Sequence, residues 1–121
     1  MTTAAQRQAL GAYGEQVAAT HLTALGMVIL DRNWRCDQGE LDLVVRDGDV
    51  LVACEVKTRS GEVGGSPHQA VDAARVDRLH RLLWRWCEDR GVRPAETRVD
   101  LVAILRARRG SAQLDHVRGL A

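Results

Sequence analysis

The spacing of hydrophobic positions changes along this chain, and each change marks an element. From Ala4 to Leu25, the residues Leu10, Gly14, Val17, Ala18, His21, Leu22 and Leu25 recur at intervals of three and four. That is one face of a helix, and Gly26 supplies its stop. Met27 to Arg35 (MVILDRNWR) reads as a strand running into a polar segment. From Gly39 to Arg59 the period drops to two. Glu40, Asp42, Val44 and Arg46 alternate with Leu41, Leu43 and Val45, then Ala53, Glu55 and Lys57 with Val52, Cys54 and Val56. Asp47-Gly48-Asp49 between the two runs is turn chemistry, so the stretch predicts a β-hairpin. The Gly-rich Arg59–Ser66 segment reads as a connector or a lid over a site. Ser66 as N-cap and Pro67 in the first turn then open a helix, kinked near Asp72 to Arg75, which runs to Arg90 and stops at Gly91. Its buried stripe is Val76, Leu79, Leu82, Leu83 and Trp86, with Trp84 pointing away. Thr97 to Leu105 is apolar enough to be an interior strand, and Gln113 to Val117 a last short one.

Composition narrows the class. A length of 121 residues suits one domain, taken here as 1–121, that can bury a core without disulfides. No apolar run approaches the roughly 18 residues of a membrane span, and the N-terminus has no apolar signal core. A soluble, cytoplasmic protein without a membrane partner is the expectation. Three widely spaced cysteines make neither a disulfide framework nor a zinc site, so free thiols are expected. A formal net charge of +1 excludes a general polycation, so any nucleic-acid binding must come from charge sorted onto one face. With three Trp, one Tyr and no Phe, a base-stacking platform is poorly supported. No G-x-x-x-x-G-K-[ST] pattern is present, which removes a phosphate-cradling loop of that kind.

The hairpin carries the candidate chemistry. With Gly48-Asp49 as the two-residue loop, Asp42 faces Glu55 and Glu40 faces Lys57. With Asp47-Gly48 as the loop, Glu40 faces Glu55 and Asp42 lies one diagonal away. Either register puts Glu40, Asp42, Glu55 and Lys57 on one face. Two carboxylates about 4 Å apart repel by roughly 4 kcal/mol at an effective dielectric near 20. A divalent cation, a raised carboxyl pKa, or Lys57 and nearby arginines can offset that. Carboxylate oxygens with open positions suit Mg²⁺ or Mn²⁺. Alternating charges on a strand are more often a solvated face. Against that, Lys57 is the only lysine among 17 lysines and arginines, which suggests that a compact ammonium is needed there. Arg32, Asn33 and Arg35 precede the hairpin, and the two arginines either balance the acids or hold substrate phosphates. Gly11 and Gly14, costly within a helix beside Glu15, suggest a close approach of backbone or ligand. Asp100 within the interior strand is expected to pair with Arg98 or a hairpin arginine, and His21 to pack or cap at the helix edge.

Four motifs in order, Gly11-Ala12-Tyr13-Gly14-Glu15, Arg32-Asn33-Trp34-Arg35, Gly39-Glu40-Leu41-Asp42-Leu43 and Glu55-Val56-Lys57-Thr58-Arg59, resemble the YraN-type bacterial family. That family is similar to the restriction-endonuclease-like, PD-(D/E)xK superfamily and to archaeal Holliday junction resolvases. The match covers about residues 10 to 105. The resemblance implies an α/β sandwich with a central mixed β-sheet flanked by helices. It also implies a Mg²⁺ or Mn²⁺ site formed by Asp42 and Glu55 with Glu15, and Lys57 as the further catalytic residue. Arg35, Arg59, Gln69 and Arg75 are then candidate substrate contacts. The family usually carries a lysine where this chain has Arg75, and an aromatic where it has Ala53-Cys54. The implied activity is hydrolysis of DNA phosphodiester bonds, with branched or junction DNA as a substrate and, by analogy with junction resolvases, a homodimer as the working unit. The alternatives are a non-catalytic nucleic-acid-binding or protein-interaction module that keeps the fold, and an assembly role through Trp84 and the second helix.

Overall fold

Seven elements follow one another in the computed structural model, which describes residues 3–60, 72–107 and 109–120. They are α1 (Ala4–Ala24), β1 (Val28–Cys36), β2 (Gly39–Asp47), β3 (Val50–Ser60), α2 (Ala73–Arg90), β4 (Glu96–Arg106) and β5 (Gln113–Val117). The strands make one sheet in chain order, β1-β2-β3-β4-β5. Neighbours are antiparallel except β3 and β4, which run parallel because α2 carries the chain back between them.

Each strand alternates its side chains between two apolar layers. Leu43, Val45, Val52, Cys54, Val102 and Ile104 pack on Ala18 and Leu22 of α1. Leu41, Val44, Leu51, Ala53 and Val99 pack on Val76, Leu79, Leu82, Leu83, Trp86 and Cys87 of α2. The sheet is therefore a central layer with one helix on each face, and its middle strands are buried on both sides. The α2 stripe is the one the spacing predicts, and Trp84 is 47% exposed on the outer face.

Helix ends show the local rules at work. Thr3 and Gln6 form a reciprocal capping box at the start of α1. Leu25, expected in its buried stripe, instead caps the helix C-terminus and is exposed, while Ala19 is buried. The second helix differs from the sequence reading at its start. Asp72 is extended (φ −94°, ψ 176°) and accepts from the Arg75 N–H at 2.8 Å. Asp72 thus begins α2 as its N-cap, where a kink within one longer helix was expected. The expected start at Ser66-Pro67 lies outside the described residues. So does the Gly-rich stretch beyond Ser60, whereas Arg59 and Ser60 belong to β3.

Polar ties cross the layers. Asp100 is fully buried, and it accepts from Arg98 at 2.8 and 3.1 Å and from the Gly119 N–H at 3.0 Å. His116 completes its shell at 3.0 Å and meets His21 of α1 at 3.1 Å. Burial pushes the Asp100 carboxyl up, but hydrogen bonds from Arg98, His116 and Gly119 outweigh it and hold the group below its ordinary value. On the other face, Asp31 accepts from Trp86 Nε1 at 2.9 Å and from Arg90 at 2.6 Å, fastening edge strand β1 to α2. The three cysteines are free thiols.

Candidate active site

The turn residues decide which hairpin register forms. Gly48 takes φ +60°, and Asp47 pairs with Val50, which makes Gly48-Asp49 the two-residue loop. The ladder then runs through Val45↔Val52 to Leu43↔Cys54 and ends there. Past that point the alternation in β2 slips. Leu41 lies in the α2 layer with Val44, although strict alternation from Leu43 would place it with α1. Asp42 sits at the slip. Its Oδ2 accepts the Val56 N–H at 2.9 Å, so a side chain satisfies the donor that a continued ladder would have paired.

This fixes Asp42 beside Glu55. Burial, and then the Glu55 charge, push the Asp42 carboxyl up to about 7, against the Val56 N–H, with smaller contributions from Glu15 and Glu40. Glu55 follows Ala53 on the α2 face, its side chain only 13% exposed. Its Oε1 accepts from Arg75 Nη2 at 2.5 Å. The hydrogen bond and charge of Glu55 raise the Arg75 pKa further, with Asp42 adding to the same effect. The first turn of α2 thus delivers a guanidinium to the acidic pair.

Glu15 reaches the same neighbourhood from the other face. Gly14 lets α1 press against β3, since a Cβ there would lie 1.7 Å from Thr58 Oγ1. Glu15 Oε2 accepts from Asn33 Nδ2 at 2.9 Å. Asn33 is the one non-glycine described residue with positive φ, at 51°. Asparagine tolerates that region better than most residues, so the strand can turn this amide onto Glu15. Asn33 had no role assigned from the sequence. The signal for its actual contact is an asparagine set inside an otherwise strand-forming run.

The other candidates are placed as follows. Lys57 is exposed on β3, opposite Ala103 in the β3–β4 register. Glu40 does not oppose Lys57 within the ladder. It pairs with Arg35 at 2.9 Å, both side chains exposed. Arg59 is half-buried near the end of β3, opposite Leu105. Gln69 lies outside the described residues. On the outer side of α2, Arg85 meets Asp37 at 3.2 Å.

Among the described residues, no three His, Cys, Asp or Glu side chains converge to hold a metal ion as they stand. Asp42 and Glu55 nonetheless bring hard carboxylate oxygens within electrostatic reach of each other. That donor set fits Mg²⁺ or Mn²⁺ bound through two carboxylates, with the remaining positions left to water or phosphate oxygens.

A mixed sheet between two helices, with an acidic pair where its central hairpin opens, defines an α/β sandwich of the restriction-endonuclease-like type. The chain belongs to the uncharacterised protein family UPF0102, whose family model matches residues 14–104. It is similar to UPF0102 proteins of Nocardioides sp. (62% identical over 117 residues, 97% of this chain and 94% of the relative) and Beutenbergia cavernae (49% over 114 residues, 94% and 97%). A UPF0102 protein of Streptomyces coelicolor is 50% identical over 117 residues, 95% of this chain and 90% of the relative.

Proposed function

We propose that this protein is a metal-dependent nuclease that hydrolyses DNA phosphodiester bonds, branched DNA included. The observation that carries the reading is the close pairing of Asp42 and Glu55 at the open end of the hairpin. A carboxyl pushed up to about 7 by burial and a second acid supports the reading, because strongly shifted acids gather at functional sites. A divalent ion held there would polarise a phosphate and lower the pKa of a bound water.

The protein residues do the rest. Asp42 and Glu55 would hold the ion, with Glu15 as the next acid within electrostatic reach of Asp42. The exposed ammonium of Lys57 orients the attacking water and stabilises charge that develops on the phosphate oxygens. The water oxygen bonds to phosphorus as the bond to the 3′ oxygen breaks. The leaving oxygen takes up a proton, which gives a 5′-phosphate and a 3′-hydroxyl. Arg35, Arg59 and Arg75 are the candidate phosphate contacts.

Cleavage of four-way-junction and linear duplex DNA with Mg²⁺ or Mn²⁺ tests this. Asp42→Ala and Lys57→Ala are each expected to lower the rate by at least about a hundredfold, the usual effect of losing a positioned catalytic group. Undiminished cleavage in both variants removes the proposed site. One observation favours a second reading, a DNA-binding module without turnover: Glu55 already holds a cation, Arg75, and among the described residues no third acid joins the pair to hold an ion. That reading predicts DNA affinity with a steep salt slope and no dependence on divalent ions.

A further inference from the structure

Arg75 and a divalent cation need the same oxygens. The guanidinium sits 2.5 Å from Glu55 Oε1, close to Asp42, on a carboxylate that is 13% exposed. Glu55 is therefore neutralised in the protein as it stands. Arg75 itself is not locked in. Its side chain is 42% exposed, and it springs from the first turn of α2, where its backbone N–H is tied to Asp72. It can turn outward without disturbing the Val76–Trp86 stripe that anchors the helix.

We propose that Arg75 is a resident counter-ion that competes with the divalent cation for Glu55, and that a DNA phosphate draws it away. The site is then closed to the metal in free protein and opened by substrate. Metal and DNA consequently bind with positive coupling, each strengthening the other by the same factor. An arginine suits both states, because its planar fork matches a carboxylate and a phosphate equally well. This rests on the nuclease reading for the identity of the metal site, and it adds an ordering that the acidic pair alone does not require. Arg75 is here a positioning residue, acting through its hold on Glu55.

Calorimetric titration of Ca²⁺ and Mn²⁺ into protein without DNA separates the possibilities. Arg75→Gln is expected to tighten ion binding by about tenfold, within the usual range for coupled sites. Arg75→Lys keeps the charge and should stay close to wild type. Arg78→Gln, which removes the same charge from an exposed position on the outer side of α2, should leave affinity unchanged. The reciprocal measurement is anisotropy of a labelled DNA duplex with and without Ca²⁺. The wild type should show several-fold tightening on adding Ca²⁺, and Arg75→Gln little or none.

If Arg75→Gln binds ions no more tightly than wild type, or Arg78→Gln tightens them equally, the competition is refuted while the metal site stands. If neither wild type nor Arg75→Gln binds a divalent ion, or if binding persists in Asp42→Asn, the metal site is refuted and the competition falls with it. Circular dichroism of each variant confirms that a lost signal is not a lost fold.

Discussion

At the scale of single residues, Asp42 carries a carboxyl that costs stability when it ionises. Its carboxyl titrates near 7 in the folded protein, against 3.8 for an ordinary aspartate. A raised folded pKa means that folding favours the protonated form. The resulting stability is present at low pH and is lost as pH rises from about 4 through 7, when the charge forms inside the protein. Asp42→Asn removes that charge and keeps an oxygen for the Val56 N–H. In EDTA, urea denaturation should show the variant more stable at pH 8 by on the order of 2 kcal/mol, a figure reduced from the full shift because the group retains some solvent access. At pH 4 the difference should vanish. An equal difference at both values would place its origin in packing.

The sole lysine was visible in the composition and the two acids in the alternation of the hairpin, although that alternation slips at Asp42. The contacts that define their environment were not. Arg75 lies 20 residues from Glu55, and Asn33 lies 18 from Glu15. Both contacts depend on how helices dock on the sheet, and Asn33 also on a backbone conformation that no periodicity encodes.

At the scale of elements, α1 offers a contrast within one helix. Gly11 and Gly14 both lower its helical propensity, and the sequence suggested a close approach at both. The structure gives different reasons to each. A Cβ at Gly11 meets nothing within 4 Å, whereas one at Gly14 collides with Thr58. Gly11→Ala should therefore stabilise the protein by about 0.5–1 kcal/mol, the helix-propensity gain. Gly14→Ala should destabilise it by about 2–3 kcal/mol as α1 is forced off β3. Thermal unfolding of the two variants checks the opposite signs, and adding Thr58→Ala to Gly14→Ala should restore part of the loss. Register was legible here up to one ambiguity. Two turn placements fitted the pattern, and the structure selects Gly48-Asp49. The slip beyond Leu43 was hidden, because alternation counts residues and cannot see where a ladder stops. The break at Asp72 was hidden for a related reason: spacing suggested a kink there, and the extended backbone that makes Asp72 an N-cap leaves no mark in periodicity.

At the scale of the whole molecule, the strand that carries Glu55 and Lys57 is also the middle of the sheet. β3 is flanked by β2 and β4 and covered by a helix on each face. That the sheet is mixed followed from the resemblance, and the structure bears it out; the order of its strands was not readable from spacing, which says nothing about which strands become neighbours. Among the described residues no helix is long and apolar enough to cross a membrane.

The central position of β3 turns Cys54 into a clock. This sulfur is one residue from Glu55 and 2% exposed, and burial, followed by the charges of Asp100, Asp42 and Glu55, pushes its thiol well above the ordinary value. A thiolate, the form that reacts with iodoacetamide, forms there only when the sheet comes apart. Mass-spectrometric counting of alkylated Cys54 over time should therefore follow the frequency of global opening, while the more accessible Cys36 is modified first. Labelling of Cys54 as fast as Cys36 would mean that the strand bearing the acids breathes independently of the rest.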